Sequence, residues 1–335
     1  MQAAIYGFAG LELTADERDF FRDAAPAGFI LFKRNCETKE QLLRLTDSLC
    51  DLTGRHDVPI LIDQEGGRVA RMKPPEWPAF PAAQRFADLY RIAPSSAIEA
   101  ARSNARAIGL MLRSVGVNVD ALPLLDVRQQ GATDIIGDRA LGSEPMQVAA
   151  LGRAVLDGLA SAGVVGIVKH MPGHGRALVD SHHELPIVTA AAEDLETDLE
   201  PFERLSSAPM GMMAHVVYTA WDADHPASQS SFVIERIVRE RIGFDGFLMS
   251  DDSNMNALTG TQAERAAACV AAGCDVALPC SGVLAENMAI AERLPSMTPE
   301  ASDRLDRAMA LTRLELAPLD FADEIAKRDQ LLALA

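Results

Sequence analysis

The segment Pro59-Ile60-Leu61-Ile62-Asp63 is a short apolar run that ends in an acidic residue and shows no polar alternation. This pattern is typical of a parallel strand that is covered on both faces. Seven further runs resemble it, so the sequence predicts eight strands. The others are Ala4–Phe8, Gly28–Phe32, Val117–Leu122, Val164–Lys169, Met210–Val217, Gly246–Ser250 and Asp275–Leu278.

Stretches with helical spacing separate most of these runs, and helical sequence continues to the C-terminus. Glycines that follow several of them, such as Gly54 and Gly273, suit the left-handed residue that ends a helix. The predicted helices are Thr14–Ala24, Thr38–Leu52, Pro94–Val115, Ser143–Ala162, Ala191–Leu205, Ser231–Ile242 and Thr261–Ala272.

Eight strands alternating with helices predict an α/β fold of the (β/α)₈ TIM-barrel type. The alternative is a doubly wound open sheet, but no G-x-G-x-x-G follows the first strand. The Pro-rich patch 73–78 reads as part of a long loop after the third strand, and no low-complexity linker occurs. We therefore expect residues 1–335 to form a single domain.

The amino-acid composition indicates which binding partners and which cellular compartment to expect. The formal net charge of −17 argues against a nucleic-acid partner, because such proteins need a Lys/Arg surface. Five scattered cysteines without a C-x-x-C pair argue against a disulfide framework and a cysteine zinc site. The first residues lack a basic n-region, and no apolar run reaches the ~18 to 20 residues needed to span a bilayer. We expect a cytoplasmic, monomeric protein that does not bind membranes.

Ionisable residues recur where the predicted strands end. In a barrel these carboxyl-terminal ends carry the active site. A single Asp there is commonly a helix cap or a turn residue, but several in register indicate a site. They are Asp63-Gln64-Glu65-Gly66-Gly67-Arg68, Asp126, Lys169-His170, His215 and Ser250-Asp251-Asp252.

Four of the seven histidines lie within sixteen residues, in the segment from Lys169 to Glu184. An isolated histidine in a Pro/Gly-shaped loop is more often solvated than functional, but the clustering favours function. Asp180 and His182 are two residues apart, so an extended loop places both on one side. The carboxylate can then orient the imidazole and stabilise its cation, as in other acid–base dyads.

The Ser250-Asp251-Asp252 segment ends an apolar strand. One aspartate, Asp252, is expected to be structural, capping a helix that begins near Asn254. The other, Asp251, can point into the pocket. A carboxylate that faces an anomeric carbon, with a proton donor across the bond, is the equipment of retaining glycoside hydrolysis. Groups of both signs for sugar recognition are supplied by Asp63, Arg71, Arg139, Lys169 and His170.

Five segments of the chain resemble the signature blocks of family 3 glycoside hydrolases, with the greatest similarity to single-domain β-N-acetylhexosaminidases of peptidoglycan recycling. The resemblance runs from about Gly28 to Pro279. The segments are Asp63-Gln64-Glu65-Gly66-Gly67-Arg68-Val69 with Arg71, Asp138-Arg139-Ala140-Leu141-Gly142, Lys169-His170-Met171-Pro172-Gly173-His174-Gly175, Asp180-Ser181-His182 and Ser250-Asp251-Asp252.

The resemblance implies a retaining mechanism. Asp251 would attack the anomeric carbon, and His182, held by Asp180, would act as acid and then as base. The substrate would be N-acetylglucosamine linked to 1,6-anhydro-N-acetylmuramic acid, with or without a peptide, and neither a metal nor a cofactor would be needed. The resemblance implies that the terminal N-acetylglucosamine is bound by Asp63, Arg71, Arg139, Lys169 and His170.

Three rival functions stay open at this point. A zinc hydrolase could use His170, His174, His182 and Asp180, although Pro172-Gly173 interrupts any helical pairing of the first two and no H-E-x-x-H occurs. A barrel could bind sugars without turnover. An N-acetylglucosaminide phosphorylase would share the fold and use phosphate instead of water.

Overall fold

The parallel strands close into a barrel in the computed structural model, which describes residues 1–129, 131–132, 134–181 and 183–335. Every strand pair in the barrel is parallel, and the strand order around it is β1-β10-β9-β7-β5-β4-β3-β2. The predicted (β/α)₈ barrel is therefore confirmed, and the open doubly wound sheet is excluded. The strands of the barrel are β1 Gln2–Tyr6, β2 Pro26–Leu31, β3 Ile60–Ile62, β4 Val119–Asp120, β5 Val165–Met171, β7 Met210–Met213, β9 Phe247–Asp252 and β10 Val276–Leu278.

Helices cover the outer face of the barrel. Ten α-helices lie in the described part of the chain, together with a π-helix over Val233–Arg241, where the sequence predicts a helix over Ser231–Ile242. Helix α3, which precedes α4, is absent from the predictions. The α-helices are α1 Ala15–Ala24, α2 Lys39–Thr53, α3 Ala83–Ile92, α4 Pro94–Arg113, α5 Pro145–Ser161, α6 Ala192–Arg204, α7 Gln262–Ala272, α8 Leu284–Ala291, α9 Pro299–Met309 and α10 Phe321–Leu332.

One predicted strand is wrong in extent. The run Met210–Val217 does not form one strand, because β7 ends at Met213 and the chain leaves the barrel. Val217–Tyr218 (β8) then pairs in parallel with Ile187–Val188 (β6) in a separate two-stranded sheet. This small sheet ties the segment after β5 to the segment after β7, and both segments contribute to the site.

The barrel interior is filled by alternate strand residues, such as Leu61, Val119 and Ile167, which belong to one buried apolar cluster. Helix α9 adds Leu305, Ala308 and Met309 to that cluster. The chain enters α9 beside the start of β1, where Ala3 N–H donates to the carbonyl of Pro295. Helix α9 therefore plugs the amino-terminal end of the barrel, and the carboxyl-terminal end is left for a site.

Two further properties concern the cysteines and the helices. All five cysteines are free thiols. Within the part of the chain that the structure describes, no helix combines the length and the apolar character needed to cross a membrane.

Candidate functional site

One pocket at the carboxyl-terminal end of the barrel brings together six of the eight residues that the sequence singles out. Each lies on a strand end or on the loop that follows, as the barrel rule predicts. Ser181, the neighbour of Asp180, also lines the pocket. His182 lies outside the described residues. The six are Asp63, Arg71, Arg139, Lys169, His170 and Asp251.

The loop after β3 folds back so that Arg71 returns to Asp63. The side chain of Gln64 accepts the N–H groups of Arg71 and Met72, each at 3.0 Å, and donates to the Met72 carbonyl at 3.0 Å. Gly66 has a φ of 95°, and a Cβ there would lie 2.4 Å from the Pro81 carbonyl oxygen. The turn therefore needs glycine, and Gln64 fixes the backbone that carries Arg71.

Lys169 is the centre of a buried group of charges. Its ammonium lies 3.1 Å from Asp63 Oδ1 and 2.7 Å from Glu65 Oε1, and its side chain is 2% exposed. Arg139 donates two hydrogen bonds of 2.8 Å to the carboxylate of Glu65. Arg71 Nη2 lies 2.9 Å from Asp63 Oδ2. We call these five residues the charged cluster: three cations surround two carboxylates.

The cations keep both carboxylates of the charged cluster ionised. Burial alone would raise the pKa of Asp63, but Lys169 and Arg71 outweigh it and hold that pKa well below its usual range. The pKa of Glu65 is likewise lowered, because Lys169 and Arg139 outweigh its burial. Burial would lower the pKa of Lys169, yet Glu65 and Asp63 raise it. The cluster therefore presents fixed charges of both signs near neutral pH.

Asp126 holds two histidines at once. Its Oδ2 lies 2.8 Å from His170 Nδ1, and its Oδ1 accepts the backbone N–H groups of His170 at 3.2 Å and His174 at 2.7 Å. Although burial favours the neutral acid, His170 lowers the pKa of Asp126, so the carboxylate is ionised. An ionised carboxylate only accepts hydrogen bonds, so His170 carries its proton on Nδ1. Its Nε2 is left for a ligand in the pocket.

Asp251 lies at the end of β9 and faces the same pocket. One carboxylate oxygen accepts the N–H of Asp252 at 2.8 Å. Burial would raise the pKa of Asp251, but His170, the N–H of Asp252 and Lys169 outweigh it, so the pKa lies below its ordinary value. An ionised, partly exposed carboxylate therefore faces the space beside the charged cluster.

Asp252 has a structural role, but not the predicted one. Its Oδ1 accepts the N–H of Asn254 at 2.8 Å, and its carbonyl accepts the N–H of Met255 at 3.1 Å. No helix begins near Asn254: the segment is a turn, and α7 begins at Gln262 behind the cap Thr261. Asp252 thus stabilises a turn, and burial together with Asp251 raises its pKa to about 6.

The chain on either side of Asp180 is anchored at several points. Arg176 Nε donates to Asp198 on α6 at 2.6 Å, and Tyr218 Oη donates to the Gly173 carbonyl at 2.8 Å. Asp180 Oδ2 lies 3.9 Å from His183 Nε2. The carbonyl of Ser181 accepts the N–H of Ala257 at 3.2 Å, which joins this loop to the one after Asp251.

The apolar part of the pocket went unpredicted. Ile135 and Ile136 come from the loop before Arg139, and Met255 comes from the turn after Asp252. These residues lie in loops, where hydrophobic periodicity gives no signal. Glu65 and Asp126 are among the ionisable residues that the sequence places at strand ends, but the sequence assigns neither a role, because a lone acidic residue there is more often a cap.

The described residues do not form the zinc site of the rival interpretation. Among them, no group of three or more His, Cys, Asp or Glu could hold a metal ion. His170 uses Nδ1 for Asp126, and His174 Nε2 lies 3.4 Å from Ser181 Oγ. His182, the third histidine of that interpretation, is outside the described part. Chelation therefore remains the test of this rival.

Comparison with known proteins gives one consistent family. The family model described as glycosyl hydrolase family 3 N terminal domain matches residues 6–311. A β-hexosaminidase of Bordetella avium is 38% identical over 309 residues, covering 90% of this chain and 86% of that protein. The crystal structure of NagZ from Neisseria gonorrhoeae with N-trifluoroacetyl-D-glucosamine has a TM-score of 0.88 at 31% identity, covering 99% of this chain and 98% of that one. A complex of the same Neisseria protein with zinc ion has a TM-score of 0.86 at 30% identity, with the same coverage.

Proposed function

Because the chain belongs to glycosyl hydrolase family 3, and is a glycosidase on that ground, we propose that it is a retaining β-N-acetylhexosaminidase of peptidoglycan recycling. It removes terminal β-linked N-acetylglucosamine from fragments in which that sugar is attached to 1,6-anhydro-N-acetylmuramic acid, with or without a peptide. The observation that carries the proposal is the ionised Asp251 in the same pocket as the charged cluster.

The charged cluster and His170 form the subsite for the terminal sugar. Asp63 accepts hydrogen bonds from sugar hydroxyls, and Arg71, Arg139 and Lys169 donate to them. Ion pairs within the charged cluster already orient all four groups, with Arg139 held by Glu65, so little ordering remains when the sugar binds. The N-trifluoroacetyl-D-glucosamine named in the complex of the Neisseria protein supports this assignment.

Bond cleavage follows in two balanced steps. Asp251 attacks the anomeric carbon and forms a covalent bond to it, while the bond to the leaving oxygen breaks and that oxygen takes a proton from His182. Water then attacks the same carbon, His182 takes its proton, and the bond to Asp251 breaks. Two inversions give net retention. Asp180 stabilises the cationic form of His182.

The proposal also covers the domain organisation, the oligomeric state and the compartment of the protein. Residues 1–335 act as one catalytic domain, as a monomer, and in the cytoplasm. Five free thiols suit a reducing compartment. The reaction requires neither metal nor cofactor, because the charge on the reacting groups is supplied by side chains.

The test is hydrolysis of 4-nitrophenyl N-acetyl-β-D-glucosaminide by the wild type, Asp251→Asn and Asp245→Asn, each treated with chelator. Asp245 is the matched control, since its side chain is 73% exposed and pairs with Arg304 before β9 begins, far from the pocket. We expect activity in the wild type and in Asp245→Asn only, with the β-anomer formed first by NMR. Loss of activity on chelation would favour the zinc hydrolase.

Two further measurements separate the other rivals. A phosphorylase would release N-acetylglucosamine 1-phosphate when phosphate is added, whereas we expect the free sugar with or without it. A sugar-binding barrel would bind N-acetylglucosamine and hydrolyse no β-hexosaminide. Release of the disaccharide's N-acetylglucosamine from a purified anhydro-muropeptide then tests the substrate class directly.

A further inference from the structure

His215 is a fully buried histidine behind Asp251 to which the proposed mechanism gives no role. It follows β7, where the chain leaves the barrel. Its Nδ1 lies 2.7 Å from the hydroxyl of Ser228, and its Nε2 lies 3.0 Å from the carbonyl oxygen of Asp252. Both ring nitrogens are therefore committed.

These two contacts fix the tautomer of the ring. A carbonyl oxygen only accepts hydrogen bonds, so Nε2 must carry the hydrogen. Nδ1 is then an acceptor in the neutral ring, and the Ser228 hydroxyl donates to it. Burial lowers the pKa of His215, although the neighbouring Asp251 acts in the opposite direction, so the ring is neutral at ordinary pH.

Ser228 is itself fixed. Its side chain is buried, its N–H donates to the Ala214 carbonyl at 3.2 Å, and its own carbonyl accepts from the thiol of Cys274. The hydroxyl therefore cannot follow the ring if the ring moves. The hydrogen bonds from Ser228 through His215 to Asp252 therefore run in one direction: the Ser228 hydroxyl donates to His215, and His215 donates to the Asp252 carbonyl.

This series of hydrogen bonds ends at Asp252, which contacts the proposed nucleophile Asp251. Asp252 donates its N–H to Asp251 Oδ1 at 2.8 Å while its carbonyl accepts from His215. Both polar groups of this one backbone unit are thus held. The same carbonyl accepts the Met255 N–H at 3.1 Å, and the Ser253 N–H of its peptide group donates to the Leu278 carbonyl at 3.1 Å. His215 adds a side-chain donor to this peptide group and so contributes to the position of residue 252, whose N–H supports the Asp251 carboxylate.

We propose that His215, locked by Ser228, is a positioning residue that sets the carboxylate of Asp251 for attack through the backbone of Asp252. This inference rests on the proposed function, in which Asp251 is the nucleophile. His215 touches neither sugar nor leaving group. Its other charged neighbour is His170, which faces the pocket and not the Asp252 carbonyl.

The variants are chosen to separate the hydrogen bond from the volume of the ring. His215→Leu removes the donor, whereas His215→Gln places an amide N–H near the position of Nε2. Ser228→Ala removes the hydroxyl that locks the tautomer. Ser253→Ala is the matched control, because Ser253 is equally buried and its hydroxyl has no hydrogen-bond partner among the described residues.

The assay uses an N-acetyl-β-glucosaminide with a 2,4-dinitrophenyl leaving group, which needs no proton, and one with an alkyl leaving group, which does. We expect His215→Leu to lower kcat/KM about 100-fold on both substrates, as for a misplaced reacting group. The inhibition constant of N-acetylglucosamine should not change, since the charged cluster is intact. His215→Gln should recover most of the activity, and Ser228→Ala should lose about tenfold where Ser253→Ala loses nothing.

The outcomes separate the two proposals. An inactive wild type would overturn the proposed function itself. With an active wild type, a folded His215→Leu at full rate, or a loss confined to the alkyl substrate, would overturn the positioning role alone. If His215→Leu fails to fold, Ser228→Ala against Ser253→Ala decides: equal rates in these two variants refute the inference, and a loss only in Ser228→Ala supports it.

Discussion

Replacing Asp126 by asparagine should reverse the hydrogen-bonding direction of His170. The carboxylate of Asp126 is fully buried and accepts a hydrogen bond from the N–H at His170 Nδ1. In Asp126→Asn one oxygen remains, and it can still accept the two backbone N–H groups. The new amide nitrogen then faces Nδ1 as a donor. A neutral ring in Asp126→Asn must then carry its proton on Nε2, the nitrogen that is left for a ligand in the pocket.

The size of the effect on activity follows from one lost hydrogen bond. A buried group left without its partner costs about 1 to 3 kcal/mol. One tenfold change in rate corresponds to about 1.4 kcal/mol. We therefore expect Asp126→Asn to lower kcat/KM by about 10- to 100-fold. The binding of N-acetylglucosamine should weaken as well, since His170 belongs to the proposed subsite for the terminal sugar.

The effect on stability has a defined pH dependence. The pKa of Asp126 in the folded protein lies below its ordinary value, despite burial, because of His170. Its contribution is therefore present above the pKa of the unfolded chain and is lost as the pH falls through the folded pKa. We expect Asp126→Asn to reduce the free energy of unfolding by about 1.5 to 3 kcal/mol near pH 7. The difference from the wild type should shrink in acid, below a pH of about 4.

The assay combines kinetics with nitrogen NMR of the histidine rings, which reports the protonated nitrogen directly. Asp134→Asn is a suitable control, because Asp134 has a 94% exposed side chain near the same mouth. The reasoning is refuted if His170 keeps its proton on Nδ1 in Asp126→Asn. It is also refuted if the tautomer changes while kcat/KM stays within about twofold of the wild type.

Three further changes test other parts of the molecule. Lys169→Met should raise the KM strongly and leave the fold intact, since each carboxylate of the charged cluster keeps one arginine; an unchanged KM in steady-state kinetics would contradict this. Burial raises the pKa of Asp120 to about 8, so this group binds a proton on folding and stability falls as the pH rises from about 4 to 8. Asp120→Asn should remove that fall in thermal unfolding at pH 5 and pH 9. Asp275→Ala leaves Arg239 and Arg304 without their buried partner and should cost about 3 to 5 kcal/mol in urea unfolding, with kcat unaffected.

The barrel could be predicted because its strands are buried on both faces. A run such as Pro59–Asp63 is continuous in hydrophobicity and ends sharply, so its position is evident from sequence alone. The same rule failed at Met210–Val217, where two strands of different sheets are adjacent in sequence and equally apolar. Hydrophobicity measures burial, and it does not report which neighbour a strand pairs with.

The site could be predicted where function requires a charged residue at a strand end. Asp63, Lys169 and Asp251 fall there, and the structure brings all three to one pocket. The roles of Asp126 and His215 could not be derived, since each acts through contacts with residues distant in sequence. Asp126 reaches His170 across 44 positions, and no local pattern encodes that contact.

The plug formed by α9 has a consequence for the order of events in turnover. Because Leu305, Ala308 and Met309 close one end of the barrel, every molecule enters and leaves through the same mouth. In the proposed mechanism, the leaving group must depart through this mouth before water can attack the sugar attached to Asp251. The free sugar is then the last product out. It should inhibit competitively with substrate, whereas the released aglycone should inhibit by returning to the occupied enzyme.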